Sequence, residues 1–293
     1  MQGETLEGFC RSWHERLTVK ATGGPVIYHY TAAPGLLGIL GGGSLRATNI
    51  AFLNDSAEYY LSLERIQSAL DRFARAEGGG LGAFLDGMGQ RLREATHRIP
   101  EVYVVSFSRA ADLLSQWRGY GEVESGYAVG FDIRALTEGL RQAGALLVPC
   151  VYEAEAQDAF ADDLVRTVAD LWCRASGGST DGDGAAALLD EAFGRLAWFA
   201  ALFKHPGFAE EQEWRLVSLL APDQADRLEF IARETCVATY LPVPFPKQAV
   251  REIWVGPSRH QHLSLPAIDA LLRKAGYPAD TALHRSEVPF RLV

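Results

Sequence analysis

No apolar run in this 293-residue chain reaches the length that a membrane-spanning helix needs. The first stretch, MQGETLEGFCRSWHERL, mixes acids with bases and is expected to be neither a signal peptide nor a span. Cysteine is scarce. Cys10, Cys150, Cys173 and Cys236 lie far apart and form no C-x-x-C pair, which argues against a structural zinc site and a disulfide framework. A reducing, cytoplasmic setting is the simplest expectation. Basic charge is in deficit, with 28 Lys and Arg against 37 Asp and Glu and a net charge of −9, so nonspecific binding to nucleic acid or to an anionic membrane is disfavoured. Familiar catalytic loops are missing as well: there is no G-x-x-x-x-G-K-[ST], no G-x-S-x-G and no H-E-x-x-H. The segment DGDGAAALLDE lacks the third carboxylate and the glycine at loop position six that a calcium loop requires, and it reads as a solvated loop. His260 and His262 have no cysteine or carboxylate cluster nearby in sequence and read as surface histidines. No metal is expected.

What the chain does contain is enough apolar material for a sizeable core, 48% hydrophobic residues with 22% charged. VIYHYTA reads as a strand, and a short helix follows it from Pro34 through Leu36, Leu37, Ile39 and Leu40, closed by Gly41, Gly42 and Gly43. The stretch from Leu53 to Glu77 offers Asp55 or Ser56 as a cap and Leu61, Ile66, Leu70 and Phe73 for one buried face, a long amphipathic helix. Seven more β-branched or aromatic runs, EVYVVSFS, GYAVGFD, ALLVPCVY, EWRLVSLL, RLEFIAR, CVATYLPV and REIWVG, read as strands. Residues 154–203 are helical on both sides of the loop SGGSTDGDGA. The expectation is one α+β domain over residues 1–293, a split, mixed and mainly antiparallel sheet with flanking helices, carrying a helical insertion at 154–203.

Three segments carry unusual chemistry. His29 sits inside an apolar strand, where an imidazole must find partners for both ring nitrogens, so it is either a satisfied core residue or part of a site. Ser106 and Ser108 end a strand, and Trp117 and Tyr120 follow; this suits a flat ligand bonded at its edge and stacked on its face, or equally serines paired with backbone and aromatics in the core. Glu210, Glu211 and Glu213 lie at the start of a later strand, where Glu211 and Glu213 share a face if the strand runs that far. Such a run is usually a solvated edge, although Arg215 could be the ion-pair partner that keeps Glu213 ionised. Asn54, Asp55 and Glu58 read as helix-capping residues, with a cleft-lining role for Asn54 and Asp55 as the alternative. Lys204 and His205 could hold a phosphate or simply end a helix as cations. Arg46 is either a phosphate ligand or a surface residue.

The order of a histidine in a first strand, Ser-x-Ser in a middle strand and Glu-x-Glu opening a later one is similar to the three-part signature of the ADP-ribosyltransferase superfamily. The chain as a whole, from about residue 26 to 291, resembles the bacterial domain-of-unknown-function family 2971 through YHYT, LLGIL, LND with Glu58, VSFS, DLLSQWRGYG, GYAVGFD, KHPGFAEEQEWR, IWVGP and SEVPFR. The resemblance implies an enzyme that splits NAD at the nicotinamide bond and passes ADP-ribose to a protein or nucleic acid, as a toxin or phage-defence effector, with an antitoxin as a further partner. It implies that His29 bonds the adenosine ribose, that the backbone around Tyr30 and Thr31 holds the carboxamide, and that Tyr120 or Trp117 stacks on the nicotinamide. Glu213 would steady the positive charge that develops as nicotinamide leaves, and Glu211 would face the acceptor. The arginine-specific toxins of the superfamily carry an arginine in place of His29, and the histidine-first branch usually lacks Ser-x-Ser, so the pattern leaves the acceptor open. Two alternatives stand beside transfer: hydrolysis of NAD with water as acceptor, and a catalytically inert nucleotide- or partner-binding module.

Overall fold

A computed structural model describes residues 5–20, 25–53, 56–95, 101–120, 126–140, 145–176, 188, 192, 198, 200–220, 222–233 and 235–289. Asn54, Asp55 and the loop at 177–187, for which sequence readings were made above, lie outside the described residues. The chain divides into two compact units: one of residues 1–21, 49–102 and 150–208, the other of residues 22–48, 103–149 and 209–293.

The first unit is helical. Its main elements are α1 (Leu6–Lys20), α3 (Ser56–Glu77), α4 (Gly79–Ala95) and α7 (Ala154–Ser176). Apolar rings fill its centre: Trp13 meets Phe160 edge-on at 5.0 Å, Phe160 meets Phe203 at 5.4 Å, and Phe84 stacks on Trp172 at 5.3 Å. Arginines of α3 reach acids of α7 across the surface, Arg65 to Asp158 at 2.7 Å and Arg72 to Asp162.

The second unit is built on a sheet. Its strands are β1 (Val26–Ala32), β2 (Ser44–Asn49), β3 (Val102–Ser108), β4 (Gly126–Asp132), β5 (Ala145–Pro149), β6 (Glu213–Leu219), β7 (Glu229–Ala232), β8 (Val237–Pro244), β9 (Val250–Val255) and β10 (Ala282–Arg285). They run in the order β10-β9-β4-β1-β3-β2-β8-β7, with β6 pairing both β3 and β5. The pairings with a described register are antiparallel except β9 with β10. This is the mixed, mainly antiparallel α+β arrangement expected from the sequence, with two strands more. Both extra strands, β2 and β10, are short and carry few β-branched or aromatic residues, so the local signal for them is weak. Four helices pack with the strands: α2 (Ala33–Gly42), α5 (Leu114–Tyr120), α6 (Ile133–Leu140) and α8 (Gln261–Ala275). The glycine stop after α2 is Gly43, whose φ of 62° closes the helix with its N–H on the Ile39 carbonyl.

Alternation along β1 sorts the core. Tyr28 and Tyr30 point to one face and pack with Trp117 and Ala128. His29 points to the other, edge-on to Phe107 at 5.8 Å, and Phe107 continues through Phe131 to Phe245.

Candidate active site at the end of strand β3

Residues 106–109 are a junction for segments that are far apart in the chain. β1 is fully in register with β4 but shares only the pair Tyr28 and Ser108 with β3. Past that pair the His29 ring takes over from the backbone ladder, its Nδ1 lying 2.9 Å from the Ser106 carbonyl. A carbonyl can only accept, so Nδ1 carries the proton. Burial pushes the ring's pKa below its ordinary 6.5, against the opposing pull of the Ser106 bond, so the imidazole is neutral at pH 7. Its Nε2 then presents a lone pair and has no protein partner among the described residues. Both nitrogens are thereby accounted for, one by the fold and one available to a hydroxyl donor.

From the other side the start of β6 is tied to the same junction. The Ser108 hydroxyl donates to the Glu211 carbonyl at 2.7 Å and accepts from the Ala110 N–H at 3.0 Å, and the Arg109 N–H reaches the Gln212 carbonyl at 3.3 Å. Between these anchors Gln212 adopts φ 45°, the left-handed conformation that a residue with a Cβ occupies only under constraint. β6 begins at Glu213, so Glu211 lies in the preceding 3₁₀ turn, Pro206–Glu211, and does not share a strand face with Glu213. The sharp turn at Gln212 is the reason.

Glu213 is 4% exposed and Arg215 is 1% exposed. Two residues apart on a strand, they share a face, and the guanidinium grips the carboxylate with Nε at 2.7 Å and Nη2 at 3.3 Å. An isolated carboxylate in such a place would face a penalty of several kcal/mol, which this pairing offsets. Glu213 is therefore not a solvated edge residue.

The aromatic pair separates. Trp117 is 3% exposed, its ring edge-on to Tyr30 at 4.6 Å and its N–H on Asp112 at 2.7 Å, so core packing covers it and it offers no stacking face. Tyr120, at the end of α5, is 40% exposed. Tyr30 itself is buried, its hydroxyl donating to the Ala110 carbonyl and accepting from the Leu113 N–H. Thr31 is half-buried against the first turn of α2, where a Cβ at Gly35 would lie 2.0 Å from the Thr31 hydroxyl. Ser106 is half-buried. Arg46 is exposed on β2 over the Tyr240 ring at 5.4 Å, a surface placement. Lys204 and His205 belong to the helical unit and line a cavity there. Among the described residues no group of three or more His, Cys, Asp or Glu is placed to hold a metal ion.

Two residues of the junction carry no sequence signal beyond their nearness to Ser108. Arg109 is half-buried, 6.0 Å above the Trp214 ring, its pKa pulled down by burial and pushed up by Tyr28. Asp112 fixes the loop after β3, accepting from Trp117, from the Ser286 hydroxyl at 2.5 Å and from the Glu287 N–H at 3.1 Å.

The fold so defined is α+β with the junction on a mainly antiparallel sheet. The profile of the family described as protein of unknown function (DUF2971) matches residues 116–216, within the span over which the motifs resemble it. Among solved structures the chain is similar to DarT from Thermus sp. 2.9 in complex with ADP-ribosylated single-stranded DNA, at 16% identity and a TM-score of 0.33, over 90% of this chain and 95% of that one. A likeness of that extent bears on neither activity nor acceptor. No protein of curated function matches. Among the described residues no helix is long and apolar enough to cross a membrane.

Proposed function

We propose that the chain is an NAD-dependent ADP-ribosyltransferase-like enzyme that cleaves the nicotinamide–ribose bond at the β3 junction and transfers ADP-ribose to a macromolecular acceptor. The observation that supports this reading is that two distant segments are tied to the end of one strand: the His29 ring bonds the Ser106 carbonyl, and the Ser108 hydroxyl bonds the Glu211 carbonyl just before Glu213. His29 Nε2 accepts from a ribose hydroxyl. The backbone of Tyr30 and Thr31, unladdered toward β3, holds the carboxamide, and Tyr120 supplies the aromatic face. Ser106 and Ser108 keep the strand end polar, and Arg109 is a cation for the diphosphate. Glu213, held ionised by Arg215, stabilises the positive charge that develops on the ribose as nicotinamide departs. Glu211, offset by the turn at Gln212, stands on the acceptor side. The acceptor is a protein or nucleic acid, with a toxin or phage-defence role and an antitoxin partner as the biological setting.

Two other readings each have an observation behind them. The net charge of −9 favours water as acceptor over a nucleic acid, which makes the chain an NAD glycohydrolase. The two-pronged grip of Arg215 on Glu213 favours an inert nucleotide-binding module in which that carboxylate is structural. Free nicotinamide released from NAD separates them. The wild type should turn over and Glu213→Gln should lose roughly 10²–10³ of the rate, the scale of one preorganised polar group. Turnover unchanged in Glu213→Gln, or absent from the wild type with every acceptor offered, overturns the catalytic reading. Label in the adenylate half then marks transfer if it appears on a macromolecule and hydrolysis if it stays in solution.

A further inference from the structure

Strand β7 (Glu229–Ala232) ends the sheet on one side and, among the described residues, has β8 as its only neighbour. We propose that this edge pairs antiparallel with β7 of a second copy of the chain, about a twofold axis through Ile231. The backbone sets the phase. The Arg233 N–H donates to the Cys236 carbonyl at 2.8 Å across the hairpin, so Arg233 and Cys236 form a hydrogen-bonded pair. Alternation along the register then turns the N–H and C=O groups of Glu229 and Ile231 toward β8 and those of Phe230 and Ala232 outward. A twofold axis at Ile231 sets Phe230 opposite Ala232 of the second copy, and Ala232 opposite its Phe230. The two outward-facing residues of each strand thus exchange N–H···O=C bonds with those of the other.

The side chains favour that occupant. Phe230 is 65% exposed and Val237, on β8, is 63% exposed, the two most exposed large apolar side chains among the described residues. Both stand on one face of the hairpin, where Val237 lies opposite Ala232. Across the twofold axis the Phe230 ring of the second copy lies over the small Ala232 and extends toward Val237, so one patch supplies both ring and notch, as an isologous contact requires. The other face carries Glu229, Ile231 and Arg233. There Ile231 meets its own copy, and Glu229 comes opposite Arg233 of the second copy, which matches charges at both ends of the pairing. Arg233 has a further interaction within its own chain, and a guanidinium has five donors, so meeting the carboxylate does not require giving that up. An arbitrary extended segment would supply the backbone bonds but neither the ring for the notch nor the order of charges. Two four-residue strands bury less than a standard interface, so the pairing is weak and depends on concentration. The inference stands independently of the proposed catalysis.

Sedimentation equilibrium of the full chain from about 1 µM to about 500 µM tests it, beside Ala232→Pro and Phe230→Ser. The Ala232 N–H points away from β8, so the proline removes an outward donor and leaves the ladder between β7 and β8 whole. Phe230 is exposed, so both variants should keep the wild-type unfolding transition. The wild type should pass from one copy to two as concentration rises, with each variant weakening the association roughly tenfold or more. Register is read separately, by air oxidation of chains in which Cys10, Cys173 and Cys236 are replaced by serine. Ile231→Cys, which meets itself across the twofold axis in a pair without mutual hydrogen bonds, should cross-link, and Phe230→Cys, which meets Ala232, should not. A chain that stays single throughout overturns the proposal and leaves the edge to a strand of another protein, and so does a pairing that either variant leaves unchanged. Growth beyond two copies overturns it too, since it would mean that β7 takes β10, the opposite end of the sheet, from the next chain. Cross-linking that does not favour Ile231→Cys over Phe230→Cys overturns the register.

Discussion

The two polar regions of this molecule handle charge in opposite ways. At the β3 junction the charges are taken out of water: Glu213 and Arg215 are both buried and bonded to each other. In the helical unit the ions pair across the surface, Arg65 with Asp158 and Arg72 with Asp162, and all four side chains keep contact with solvent. A buried pair fixes a geometry and lends a field, whereas partly exposed pairs are screened by water and contribute little to either. The first arrangement suits stabilising a charge that exists only briefly, and the second suits a solvated face.

The sharpest way to break this comparison is to remove one half of the buried pair. Arg215→Met takes both guanidinium bonds from the buried Glu213 carboxylate and should cost about 3–5 kcal/mol in denaturant unfolding, while Glu213→Gln with Arg215→Met together should recover part of that loss. A cost below about 1 kcal/mol for the single change would mean that solvent reaches the pair and that it behaves as a surface one. A smaller effect separates the two serines of the strand end. Ser108→Ala removes the bonds to the Glu211 carbonyl and from the Ala110 N–H and should cost about 1–3 kcal/mol. Ser106→Ala, whose contact to His29 runs through its carbonyl and survives the change, should stay within about 0.5 kcal/mol. Equal losses from the two would show that the turn at Gln212 does not depend on Ser108.

How much of this was legible in the sequence varies with the range of the interaction. The strand of His29, the glycine stop at Gly43 and the amphipathic helix from Ser56 are written in local periodicity and turn chemistry, and the structure has all three. The Arg215 partner of Glu213 was legible for the same reason, being two residues away on one strand. What was not legible depends on where the backbone turns. Nothing in EEQEW announces a left-handed Gln212, so the sequence left open whether the strand reached back to Glu211. Trp117 carried no mark of burial because its cover comes from Tyr30 and Asp112, and β10 was invisible because its four residues become a strand only by lying against β9.

The smallest expected effect concerns pH and returns to His29. Because burial lowers the ring's pKa in the folded chain, the unfolded chain binds the extra proton more readily. The contribution of the neutral ring is therefore fully present above its unfolded value of 6.5 and is lost as pH falls through that value toward the lower folded one. Denaturant unfolding of the wild type from pH 8 to pH 5 should show stability declining below about 6.5, with a shallower decline in His29→Gln, which keeps a donor for the Ser106 carbonyl but does not titrate. The junction would then lose stability in mild acid while the lone pair on Nε2 is lost to the same proton. Parallel declines in the two proteins would mean that the ring can be protonated in place, and a charged imidazole at the junction could no longer accept from a ribose hydroxyl.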